Sequence, residues 1–504
     1  MNPFSKKSPT LLGLISAAGA LLALLPARAV QAAVPGISST SFSLVASADR
    51  VSQPDGASIY AWGYGCDATA SAPGFTPFTG TCPQMQMPGP TMVIPEGQAI
   101  SVTLTNNLPP AAGKTSIVFP GFQVSSLVGG VQTGVPGLIT QEAANASCNP
   151  IVNAGCNTVT YTFTATAPGT YSYYSGTQPD LQIEMGLFGA IIVTPVQPLA
   201  ACRGIGPGDF RLAPSAYDHS ATCYDREYLF QLSEMDSRIH DQAQAQVQAC
   251  PVGPCGAIKV TTSPYRPNYF LINGRSMPDN MDASYSGAYP HQPYNANPHM
   301  HPGELVLMRI IGQGRIQHPF HFHGNHARVL ARDANLMLSA KDGISLAGPL
   351  LFTTPSVPGQ TQDQIFTWSG KGLNWDVYNH RAGDGSVCTP DANGFNSVVG
   401  SLNFGEWCAD HNKPIPVTPP DPTISALGQW YAGTPYLSLQ NSNGFTNNNE
   451  APGTLNQNPP AESGYAYMWH SHNEREITTN DVFPGGMLSM LLIDPQAWLI
   501  DEKQ

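Results

Sequence analysis

From about Ser38 onward the chain reads as short runs in which apolar and polar residues alternate, separated by Gly, Pro, Asn and Asp. The clearest is Val159-Thr160-Tyr161-Thr162-Phe163-Thr164-Ala165. Its threonines fall on one side and its apolar and aromatic residues on the other, the period of two expected of a half-buried strand. Residues 92–97 and 99–105 repeat the pattern, and a Greek-key β-sandwich is the natural reading to about Pro198. A second block of strand-like runs covers residues 227–232, 268–274 and 304–312. Between Gly343 and Gly464 the composition shifts toward Gly, Pro, Asn, Ser and Thr. A loop this long in a compact domain is expected to cover a site, bind a partner or move.

Composition supports an all-β reading. Only 11% of the 504 residues are charged, while Gly (49) and Pro (47) are abundant. Lys6 and Lys7, an apolar stretch over residues 11–25 and small residues around Ala29 read as an export signal, with cleavage expected near Ala32. The apolar run is too short to span a membrane comfortably, so no span is expected after cleavage. Removing Lys6, Lys7 and Arg28 takes the net charge from -12 to -15, since no acid lies in that segment. A chain this acidic is a poor match for nucleic acid or an anionic membrane. Export ends in the periplasm, at the cell surface or in the medium, and all 10 cysteines fit that oxidising destination. They fall as near neighbours, Cys66 with Cys82, Cys148 with Cys156, Cys202 with Cys223, Cys250 with Cys255 and Cys388 with Cys408. Sequential pairing is the simplest arrangement.

Chemistry concentrates in two places, His318-Pro319-Phe320-His321-Phe322-His323-Gly324 and Trp469-His470-Ser471-His472. Residues i and i+2 of a strand share a face, so His321 with His323, and His470 with His472, each present two imidazoles together. Counting His326, six of the 13 histidines fall in or beside these runs. Imidazole suits copper, zinc and iron, so His318, His321, His323, His470 and His472 are the candidate metal ligands. Glu474 and Glu476 follow the second run. They are the candidate catalytic carboxylates, as a base or as partners that fix imidazole tautomers, against the plainer reading of solvated loop charges. His291, His299 and His301 form a looser group, read as surface histidines before an accessory metal site. His219, His240, His380 and His411 carry no constellation.

The first run resembles the H-P-x-H-x-H-G segment of multicopper oxidases, and the second resembles their final H-C-H segment with Gly486-Met487 behind it. Pro88-Gly89-Pro90-Thr91, and Pro168-Gly169-Thr170-Tyr171 with Met185-Gly186-Leu187-Phe188-Gly189, are similar to the opening and closing of a family cupredoxin domain. The resemblance implies two cupredoxin-like Greek-key β-sandwich domains with long loop insertions. Their expected bounds are 33–198 and 227–504, joined by 199–226, after a signal peptide over 1–32 and with an insertion at about 343–464.

The same resemblance exposes what is missing. Aligned by its flanks, the first domain's two H-x-H segments become Val118-Phe119-Pro120-Gly121 and Tyr174-Ser175-Gly176, so half of the family's trinuclear cluster is absent. Ser471 stands where the blue copper centre needs a thiolate, and a hydroxyl cannot replace that soft ligand. The next family histidine falls near Glu476. What remains implies one or two copper ions, or another late first-row metal, acting on a small molecule or a metal ion, with dioxygen as a further partner. The rival reading is a non-catalytic cupredoxin pair for metal sequestration or partner binding. Two-domain relatives imply a homotrimer, in which the histidines face a neighbour's Val118, Phe119 and Tyr174.

Overall fold

The computed structural model describes residues 34–67, 82–145, 155–196, 199–206, 209–251, 258–371, 387–392, 395–401, 403–406, 429–431, 464–494 and 499–502. The expected signal peptide lies outside them, as does most of the expected insertion.

Two β-sandwiches follow one another along the chain. In the first, Ile37–Ser38, Met92–Pro95, Phe188–Thr194 and Gly169–Tyr174 form a four-stranded sheet. It faces a six-stranded sheet of Ser58–Cys66, Ser41–Ser52, Ala99–Asn106, Thr158–Thr164, Val124–Val128 and Val131–Gly137. The alternation in Thr158–Thr164 is realised: Val159, Tyr161 and Phe163 are buried with Leu44, Trp62, Val102 and Phe119.

In the second, the seven-stranded sheet runs Tyr269–Ile272, Arg226–Met235, Leu305–Gly312, Thr361–Thr367, Ala327–Arg332 and Asn335–Leu336, with Leu350–Leu351 beside Ala327–Arg332. The six-stranded sheet runs His299–Met300, Leu488–Ile493, Gly464–Ser471, His318–Phe322 and Thr353–Ser356, with Gln429–Tyr431 also on Gly464–Ser471. Phe230, Met308, Phe320, Phe322, Phe366, Trp469 and Leu491 pack between the two sheets. A third apolar cluster joins the sandwiches through Met85, Met87 and Phe188 on one side and Met235, Tyr269 and Leu271 on the other.

Three features depart from the sequence reading. Thr353–Ser356 and Thr361–Thr367 lie inside the stretch that composition assigns to the insertion, yet the second is fully paired between Leu305–Gly312 and Ala327–Arg332. Its Gln362, Asp363 and Gln364 are buried polar residues, so the strand lacks an apolar signature. Asp363 accepts from Thr170 at 2.6 Å and from Tyr217 at 2.5 Å, which satisfies the buried carboxylate. A 13-residue helix, Ser237–Ala249, also interrupts the strand pattern. Asp236 caps it by accepting from the Arg238 amide at 3.2 Å. Its Ile239 and Ala243 pack on the first sandwich's core.

Disulfides Cys66–Cys82 and Cys202–Cys223 are formed as neighbour pairing predicts. Cys156, Cys250 and Cys388 are also disulfide-bonded. Their expected partners Cys148, Cys255 and Cys408 lie outside the described residues. Among the described residues no helix is long and apolar enough to cross a membrane.

Candidate metal centre

The two histidine runs are neighbouring antiparallel strands. His321 pairs with His470, Phe320 with Ser471 and Phe322 with Trp469. In such a pair, directly opposed residues share a face. Phe320, Phe322 and Trp469 therefore fill the core, while the imidazoles stand on the outer face. A one-residue slip of either strand would turn its histidines into the core.

Ligand nitrogens of His321, His323 and His470 all lie within 4.8 Å of one another. His323 Nε2 and His470 Nε2 are 3.3 Å apart. His472 is exposed beside them, its ring 4.9 Å from that of His321 and 5.6 Å from that of His470. The far nitrogens are held. His321 Nδ1 is 2.8 Å from Thr353 Oγ1, and His470 Nδ1 is 2.7 Å from the Ser471 carbonyl oxygen. When Nδ1–H donates to these oxygens, Nε2 keeps its lone pair and can ligate a metal. Burial first, and then the neighbouring imidazoles, push His321 down to about 4. Burial likewise lowers His323 and His470. Near neutral pH these rings are uncharged, the form a metal ion requires.

His318 is not with them. On the strand's other face it is fully buried, its Nδ1 2.8 Å from Glu476 Oε2 and its Nε2 2.8 Å from Glu234 Oε2. Burial opposes its charge, but the two carboxylate hydrogen bonds outweigh it and push the imidazole up to about 9. With both nitrogens engaged, this residue has no lone pair left for an ion.

Glu476 is buried, accepting from Ser471 Oγ at 2.5 Å and from Asn473 Nδ2 at 2.9 Å. Glu474 is exposed at the start of the Glu474–Ile477 turn. Met487 is buried in the core. Of the looser histidines, His299 Nδ1 meets Asp494 at 2.7 Å and His301 Nδ1 meets Glu304 at 3.1 Å. His326 lines a cavity of about 580 Å³ with Asn325, Arg328, Leu305, Leu350 and Ile365. The exposed Phe352 ring stands edge-on to both His326, at 5.1 Å, and His321, at 5.7 Å.

Two groups that hold the histidines, and a third buried polar residue away from them, escaped sequence reading. Thr353 belongs to a strand hidden in the supposed insertion. Glu234 shares the strand Arg226–Met235 with a second acid, Glu227, and nothing in the spacing singles it out. His240 is buried on the helix with Nδ1 2.7 Å from the Tyr60 carbonyl oxygen, and nothing in its neighbourhood in the sequence marks it. Thr353→Val is expected to weaken copper binding about 10–100-fold, the usual effect of removing a group that orients a ligand. A competition titration with a copper chelator checks this, and an unchanged affinity would remove Thr353 from the site.

The segments aligned with the lost histidines also meet. Val118 and Tyr174 are bridged by reciprocal backbone hydrogen bonds of 2.9 and 3.3 Å. Phe119 turns into its own core against Tyr161 and Phe163, so it does not line a neighbour-facing wall.

Comparison with known proteins agrees with the motifs. Residues 79–198 and 261–361 each match a multicopper oxidase domain family. No curated protein matches the chain. Among solved structures it is similar to the multicopper oxidase mgLAC, at 17% identity over 92% of this chain and 87% of that one, with a TM-score of 0.45. It is also similar to a blue copper oxidase from Nitrosomonas europaea, at 16% identity over 90% and 85%, with a TM-score of 0.45. Each of the two sandwiches thus carries a stretch that matches a multicopper oxidase family, and the second also carries the paired histidines on adjacent strands.

Proposed function

We propose that the protein is an exported copper-binding oxidoreductase that works from a reduced histidine site, without a blue copper centre or a complete trinuclear cluster. The observation that carries this reading is the convergence of three imidazoles whose ligand nitrogens lie within 4.8 Å of one another. His321, His323 and His470 hold the ion, His472 serves as a fourth ligand, and one or two coppers are accommodated. His318 and Glu476 support the strand ends, which leaves Glu474 as the carboxylate able to accept a proton at the rim. Copper held by three or four imidazoles with an open position supplies a Lewis-acid or one-electron centre. The protein's own residues fix the imidazole tautomers through Thr353 and the Ser471 carbonyl. They keep water from the inner face with Phe320, Phe322 and Trp469. The substrate is a small molecule or a metal ion, with dioxygen as oxidant, and the cavity lined by His326 is where an organic substrate would lie.

The same reading takes the domains as 33–198 and 227–504 after cleavage of 1–32, and the assembly as a homotrimer. A second reading, metal sequestration without turnover, is favoured by the paired Val118 and Tyr174, which offer no imidazole where the family has four. Copper content after dialysis, with oxygen uptake on phenols and reduced metal ions, separates the two. Retained copper with turnover supports the oxidoreductase, retained copper without turnover supports sequestration, and no retained copper removes both.

Restoring the thiol is expected not to restore the blue centre. In Ser471→Cys the sulfur would face Glu476, and His318 would still be locked between two carboxylates. Optical titration with Cu(II) is expected to show no intense thiolate-to-copper band. An intense blue band in that variant would sink this account of His318.

A further inference from the structure

The outer face of the sheet carries a second row beside the first. Thr353, His321, His470 and Leu488 are paired across four strands. Two residues along each strand come His323, Met468 and Met490. The His323 amide donates to the Met468 carbonyl oxygen at 3.0 Å, and Met468 is directly opposite Met490. Alternation fixes where these side chains go: Tyr467, Trp469, Ser489 and Leu491 are buried, Met468 is 42% exposed and Met490 is partly exposed. Both thioethers therefore stand on the same open face as the His323 imidazole.

Opposed residues on neighbouring strands have Cβ atoms about 4.5–5.5 Å apart. Three rotatable bonds let each methionine swing its sulfur through several ångströms at little cost. Two sulfurs and one imidazole nitrogen can thus converge without moving the backbone. Thioether sulfur is a soft, neutral donor that selects Cu(I) over the harder divalent ions, whereas the four histidines alone are borderline ligands.

We propose that Met468, Met490 and His323 form a binding site for a soft monovalent ion, cuprous copper, adjoining the histidine cluster. It shares only His323 with the copper reading above. Site and cluster stand side by side, so an arriving cuprous ion would be one residue row from the imidazoles. Leucine matches methionine in volume and packing but has no sulfur, so the exchange separates ligation from simple covering of the sheet.

The test uses the full chain and Ag(I), a redox-inert soft monovalent probe, in chloride-free buffer, with bound metal measured after equilibrium dialysis. The double variant Met468→Leu/Met490→Leu is expected to bind Ag(I) at least ~10-fold more weakly than wild type, given what even outer partners contribute to metal affinity. Met337→Leu, away from this face, is expected to match wild type, and the Cu(II) paramagnetic resonance spectrum is expected to be the same in all three. Equal Ag(I) affinity in wild type and the double variant overturns the proposal, as does an equal loss in Met337→Leu. Should the double variant fail to fold by circular dichroism, Met468→Leu alone carries the same comparison. Ag(I) binding that depends on both methionines in a protein that binds no Cu(II) would keep this site and remove the histidine reading instead.

Discussion

His470→Ala is expected to abolish copper retention, lowering Cu(II) affinity at least ~100-fold, since a direct ligand contributes no less than the outer groups that orient it. His470 sits at the middle of the site. Its Nε2 is 3.3 Å from that of His323, its ring is 5.4 Å from that of the opposed His321, and its Nδ1 is tied to the Ser471 carbonyl. His321→Ala is expected to lose nearly as much, because it removes the cross-strand partner and frees Thr353. His472→Ala is expected to lose less, since that ring is exposed at the margin. His326→Ala is expected to leave copper content unchanged and to alter only the use of organic substrates, through the cavity it lines. Elemental analysis of dialysed protein and resonance titrations measure the series. A His470→Ala protein that keeps wild-type copper would show that the imidazoles are packed together for some other reason.

How far the sequence could be read followed from where the physics is local. The i and i+2 spacing of His321 with His323 and of His470 with His472 is a property of any strand, so each pair was legible in isolation. Their meeting is a property of register across 149 positions, counted from 321 to 470, and only the family resemblance suggested it. The first sandwich was legible in runs such as Thr158–Thr164, where burial follows the alternation. Thr361–Thr367 was not legible, because its inward residues are Gln and Asp that find partners from other strands. His318 shows the same limit. It sits in the same motif as His321 but three residues away, and odd spacing on a strand places it on the opposite face. There its environment is set by Glu234, 84 residues earlier, and Glu476, 158 residues later. No spacing rule could have supplied those two carboxylates.

The buried imidazole between them leads to the other large expected effect. Glu234 also accepts from Tyr265 at 3.1 Å and from the Arg315 and Ile316 amides at 2.6 and 3.1 Å. Tyr265 in turn donates to Glu184 of the first sandwich at 2.6 Å, so the network crosses between the sandwiches. Removing the imidazole leaves two buried carboxylates facing each other without a cation, and His318→Ala is expected to cost about 3–5 kcal/mol. His318→Gln keeps hydrogen bonding but not charge, and it isolates the electrostatic part. A pKa raised from 6.5 to about 9 corresponds to about 3 kcal/mol of stabilisation. The sign follows from the direction: a raised folded-state value means that the folded protein holds the proton more tightly than the unfolded chain. The contribution is therefore complete below about 6.5 and fades as pH rises through about 9. Urea unfolding of wild type and His318→Gln at pH 6, 8 and 10 is expected to show a gap that narrows with rising pH. Cu(II) binding by His318→Gln is expected to match wild type at neutral pH, because both nitrogens already serve the carboxylates. A gap that stays constant with pH would mean that the imidazole is neutral in the fold, and a loss of copper would make it a ligand after all.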